Sequence, residues 1–69
     1  MNRVGEVWED QAKRIYLVLV THDDVHCVQN GVFREHDALV LSSGKLTGRV
    51  TTLTEFYDYP WETMYTRLA

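Results

Sequence analysis

Arg14-Ile15-Tyr16-Leu17-Val18-Leu19-Val20-Thr21 is apolar at six consecutive positions and rich in β-branched and aromatic side chains. Bounded by charge on both sides, the run is strand-sized, and its lack of alternation marks a central strand with both faces covered. It is the longest apolar run in the chain and falls well short of the roughly 20 residues that a membrane span needs. A strand covered on both faces requires neighbours, so the rest of the chain is read as mainly β.

The neighbours are short. Val4-Gly5-Glu6-Val7-Trp8-Glu9 reads as a first strand with a bend at Gly5, and Glu9-Asp10 begins a turn. Asp23-Asp24 punctuates the chain after the central run, and Val25-His26-Cys27-Val28 then pairs back as the second arm of a hairpin ending at Asn30-Gly31. Arg34-Glu35-His36-Asp37 has no apolar pattern and reads as exposed connection. Ala38-Leu39-Val40-Leu41-Ser42 is a further buried strand, and Ser43-Gly44 with Gly48 marks a flexible turn before Arg49-Val50-Thr51-Thr52-Leu53-Thr54. Pro60 suits the start of a helix, and Trp61, Met64, Tyr65 and Leu68 follow at i, i+3, i+4 and i+7. Glu62 near the start and Arg67 near the end match a helix dipole. A short C-terminal helix is expected, or a 3-10 turn leading into a last strand. Five strands are too few for two full sheets, whereas a small bent barrel closes its own edges. The core is assigned to Trp8, Leu17, Leu19, Leu39 and Leu41.

Sixty-nine residues suffice for one domain, in which only about 60% of the unfolded surface is buried, so stability is marginal. Hydrophobic residues at 45% provide one compact core and argue against disorder. Cys27 is the single cysteine, which forbids an internal disulfide and points to a reducing compartment, the cytoplasm by default, or to support from oligomerisation. Arg3 is followed by Glu6, Glu9 and Asp10 where a secretion signal would be apolar. The net charge of −3 has the wrong sign for a protein that neutralises phosphates, so nucleic acid is disfavoured as a partner. Beyond Thr51, Glu55, Asp58 and Glu62 stand against Arg67, which favours a basic or amphipathic partner at that end.

Val4-Gly5-Glu6-Val7-Trp8, with Tyr16-Leu17-Val18-Leu19 after a charged turn, resembles the first hairpin of the PemK/MazF ribonuclease toxins, over about a third of the chain. The resemblance implies a five-stranded Src-homology-like barrel. Where those toxins usually enter the second strand with Arg-Pro, this chain has Arg14-Ile15. Glu55-Phe56-Tyr57-Asp58-Tyr59 is similar to the A-L-Y-D-Y segment of Src-homology domains, whose aromatic and acidic residues line a groove for proline-rich peptides, although there the segment opens the domain. Length, opening and the Pro60-Trp61-Glu62 ending also resemble small uncharacterised proteins of actinobacterial phages, which implies an accessory role on a host or phage partner.

Several residues bear on chemistry. His22, His26 and Cys27, with Asp23 and Asp24, offer metal donors, but on a strand His26 and Cys27 point to opposite faces and a closed zinc site needs four converging ligands. They are read as turn-flanking polar residues and a buried thiol, so no metal or other cofactor is assigned. Cys27 with His36-Asp37 lacks a nucleophile signature, and no catalytic residue is assigned. Arg34, Lys45 and Arg49 beside Phe33 would make a single-stranded nucleic-acid platform if the fold gathered them, and a toxin-like ribonuclease fold is the related alternative. The densest feature is aromatic and acidic. Tyr57, Tyr59 and Trp61 are assigned as contact anchors for a protein partner, and Glu55, Asp58 and Glu62 as its steering charges. Phe56 or Tyr59 could alternatively mediate self-association, and Trp61 and Tyr65 could alternatively cap an open end of the barrel.

Overall fold

The computed structural model describes residues 3–22, 26–29, 31–42 and 45–69. The chain is mainly β: β1 (Val7–Glu9), β2 (Ile15–Thr21), β3 (His26–Val28), β4 (Gly31–Ser42), β5 (Lys45–Phe56), a 3-10 turn (Trp61–Thr63) and β6 (Thr66–Arg67). One antiparallel sheet runs β3-β4-β2-β1-β6, with β5 on the other side of β4. Among the described residues β5 pairs only with β4 and β6 only with β1, so the sheet is not closed.

β2 is central, as its composition requires, lying between β1 and β4. Its inward face is the opposite of the expected one. Tyr16 and Val18 are buried, together with Trp8, Ala38, Val40, Leu53 and Trp61, and Met64 and Tyr65 pack against them. Leu17, Leu39 and Leu41 are half-buried on the other face, and Leu19 is exposed. A strand apolar on both sides does not choose a face by itself, and a shift of one residue exchanges the two. Here Trp8 decides it: its cross-strand partner is Tyr16, whose neighbour Val40 continues the same face.

β4 absorbs the segment expected as exposed connection, and His36 within it has no exposed surface. The reason is register. Every second residue from Arg34 to Val40 faces inward, so one polar side chain enters the core wherever it finds partners. β3 pairs forward onto Gly31–Phe33 of β4, not back onto β2. The expected turn residues Asp23, Asp24, Asn30, Ser43 and Gly44, and Val25 of the expected third strand, lie outside the described residues.

Two irregularities set side-chain direction. The β2–β4 ladder shifts between Val18 and Val20, so that Val18 faces Ala38 inward and Thr21 faces His36 inward. In β5 the expected flexible turn at Gly48 is instead part of the strand, where a φ of +75° accompanies a register shift against Leu39–Leu41. The first strand begins at Val7, because Val4-Gly5 forms a turn that returns the Gly5 N–H to the Val18 carbonyl at 2.9 Å.

Of the two forms expected at the C-terminal end, the 3-10 turn leading into a last strand is present. Pro60, at ψ 144°, stays extended, and the Thr63 and Met64 N–H groups close the turn onto Pro60 and Trp61 at 3.1 and 2.9 Å. Trp61, Met64 and Tyr65 face the core as their spacing requires, whereas Leu68 is exposed.

Candidate functional site

The expected contact segment divides into two parts with different surroundings. β5 ends at Phe56, whose isolated bridge to Tyr59 closes a tight turn, and the Tyr57 N–H donates to the Val32 carbonyl at 3.0 Å. This fixed backbone presents Tyr57, 54% exposed, and Tyr59, 49% exposed, with Asp58 between them. On one side is a concavity of about 300 Å³ lined by Arg3, Arg34, Glu55, Tyr57, Pro60 and Glu62. On the other is one of about 420 Å³ lined by Phe56, Asp58, Tyr59 and Met64. The Arg34 guanidinium lies 5.6 Å from the Tyr57 ring centre, which braces that ring from below.

Trp61 does not join this surface. It is fully buried, T-shaped against Trp8 at 5.4 Å and against His36 at 4.9 Å, and its indole N–H donates to the Thr54 carbonyl at 3.1 Å. The anchor role expected for it is therefore corrected to a core role, because no ring edge is left for a partner. Glu55 is corrected likewise. It faces inward from β5, and its carboxylate accepts three bonds from the Arg3 guanidinium, at 3.0, 3.0 and 2.6 Å, and one from His36 Nε2 at 2.8 Å. A charge matched so closely does not steer a distant partner.

The network around Glu55 reaches across the whole core. Arg3 also pairs with Glu6 at 2.9 Å, and Glu6 accepts the Trp8 indole N–H at 2.8 Å. The guanidinium sits 5.1 Å from the Trp8 ring centre and 4.8 Å from that of Trp61. Thr21 Oγ1 accepts the Arg3 backbone N–H at 3.2 Å and lies 2.9 Å from His36 Nδ1. One proton arrangement satisfies every atom: neutral His36 donates from Nε2 to Glu55 and accepts at Nδ1 from the Thr21 hydroxyl. Burial lowers the His36 pKa, outweighing the Glu55 hydrogen bond that acts in the opposite sense. For Glu55, burial alone would raise the pKa, but hydrogen bonds from Arg3 and His36 outweigh it and the net shift is downward. The order hydroxyl, imidazole, carboxylate is thus present, with each member's bonds taken up inside the core.

The other histidines lie on the opposite face of the sheet. His22 pairs with Asp37 at 3.1 Å and His26 with Glu35 at 3.2 Å, around a concavity of about 240 Å³ that Thr52 completes. Among the described residues no three His, Cys, Asp or Glu side chains converge as a metal site. Cys27, expected as a buried thiol, is exposed, because it lies on the short strand β3 at the rim of the sheet. The nucleic-acid platform is not assembled: Phe33 stacks on His26 at 4.9 Å, while Arg34, its neighbour in the strand, faces the other side over Tyr57. The Lys45 side chain lies outside the described residues.

No helix among the described residues is long and apolar enough to cross a membrane. Arg3, Glu6, Thr21 and His36 were invisible as a group in the sequence, since Arg3 and Glu55 stand 52 positions apart and meet only through the sheet. Compared with known proteins, the chain matches no protein-family model, no curated protein and no solved structure.

Proposed function

We propose that this chain is a non-enzymatic protein-interaction module whose contact surface is Tyr57, Asp58, Tyr59 and Glu62. The observation that carries this reading is the pair of half-exposed tyrosines held on a hydrogen-bonded turn between two concavities. Tyrosine combines large apolar area with a polar tip at small entropic cost, which suits a contact anchor. Asp58 and Glu62, both exposed, favour a basic segment in the partner. The scaffold is an antiparallel β-sheet, open among the described residues, and a small Src-homology-like barrel is proposed for it on the resemblance of the opening hairpin. An accessory role on a host or phage protein in a bacterial cytoplasm follows from the resemblances of the opening and ending segments.

The test is an affinity capture from bacterial lysate with wild type and with the Tyr57→Ala/Tyr59→Ala variant, after circular dichroism shows both folded. A protein held by the wild type alone, and released as salt rises, supports the reading. Identical captures from the two forms, or nucleic acid in place of protein, would end it.

A further inference from the structure

β5 is a twelve-residue strand, and among the described residues its second edge meets no other strand. The direction of that edge's polar groups follows from two bonds. The Glu35 carbonyl accepts the His22 N–H at 3.0 Å, so Glu35 directs its backbone groups away from β5. Its cross-strand partner Thr54 then directs its own away from β4, and the Thr54 carbonyl does accept the Trp61 indole N–H from that side. By the period of two, Thr52 and Val50 also point outward, since they pair with Asp37 and Leu39 in the same unbroken ladder. Trp61 occupies the edge above this pair, and the irregularity at Gly48 ends the regular strand below it.

The open window therefore holds two outward-facing residues, Val50 and Thr52, with Thr51 between them. We propose that this window pairs antiparallel with the same window of a second copy of the chain, about a two-fold axis at Thr51. In that register Val50 faces Thr52 of the partner and Thr52 faces its Val50. Each such pair exchanges two N–H to carbonyl bonds, so all four groups exposed by each copy are satisfied. No other symmetric register does this within the window. Arg49 would face Leu53, so no like charges are opposed. Val50, 55% exposed, and exposed Thr52 meet as β-branched neighbours on the outer face. There they extend the half-buried row of Leu17 and Leu39 into the second copy. Within Val50–Thr52 the edge has no proline and no charged residue, two of the devices by which strands refuse such pairing, and a third, the irregularity at Gly48, lies outside the window. This proposal is independent of the tyrosine surface.

The experiment compares wild type with Thr52→Pro by sedimentation equilibrium over a wide concentration range. Proline at this position removes an outward N–H and no bond to β4, so the fold tolerates it. Wild type is expected at twice the chain mass, and Thr52→Pro at the chain mass with an unchanged circular dichroism spectrum. Hydrogen exchange on wild type gives a second readout that needs no variant: the Val50 and Thr52 amides are protected in proportion to protein concentration. A wild type that stays monomeric at millimolar concentration overturns the proposal. So does a dimer whose Val50 and Thr52 amides exchange freely, or one that persists in a folded Thr52→Pro.

Discussion

An arginine enclosed by two indole rings stays stable only while its charge is matched. Removing one partner of a buried pair leaves the other uncompensated, at about 3–5 kcal/mol. A domain of this size rarely holds more than about 3–5 kcal/mol in its core. Arg3→Ala and Glu55→Ala are therefore expected to be largely unfolded at 25 °C, whereas exposed Glu62→Ala changes urea stability by less than about 0.5 kcal/mol. His36 supplies a pH signature. Its folded pKa is lowered from the ordinary 6.5, so its contribution is present above that value and lost as pH falls below it toward the folded pKa. Melting temperature should drop between pH 7 and pH 5, and His36→Gln should flatten that slope. None of this was legible locally. Arg3, His36 and Glu55 each look like surface residues in their own segments, and only the register of β4 and β5 turns His36 and Glu55 inward.

At the level of strands and turns, the sequence revealed β2 and the general β character, because run length and residue type carry those, whereas the short helix favoured for the C-terminal end is only a 3-10 turn before β6. It did not reveal which face of β2 is inside, since Leu17 and Val18 are equally apolar. Val18→Ala should cost about 2 kcal/mol through two lost methylenes and a cavity. Leu19→Ala should stay within about 0.5 kcal/mol, and urea denaturation separates the two. The turn after β1 has its own logic. Asp10 accepts the Ala12 and Arg14 N–H groups and the Tyr16 hydroxyl, all at 2.9 Å. The turn places Lys13 at φ +68°, in the left-handed region. Lys13→Gly should raise the urea midpoint, gaining roughly 0.5–1 kcal/mol from relieved strain. On the turn proposed as a contact surface, Tyr57→Ala or Tyr59→Ala should weaken binding of the captured partner by about 2 kcal/mol, near thirtyfold, as titration calorimetry would read.

For the molecule as a whole, stability should form a plateau bounded by different groups at each end. On the acid side His36 acts first, and Glu55 adds to the loss below its ordinary 4.5 because its folded pKa is lowered. On the alkaline side burial raises the pKa of Tyr16 and Tyr65 above the ordinary 10, so the unfolded chain loses those protons first and stability declines as pH rises past 10. The sheet order brings the first and last strands of the described residues together. β1 pairs with β6, and the Val7 N–H reaches the Ala69 carbonyl at 3.1 Å. That pairing also imposes a schedule on biosynthesis. Glu9 is made early but cannot meet Thr66 until 57 further residues have been added. At 5–20 residues per second the wait is about 3–11 s. Throughout it the outer edge of β1 lacks its partner strand, although β2 already has β1 and β4 on its two sides. An unpaired strand edge is a template for pairing with other chains, and here β6 is what covers it.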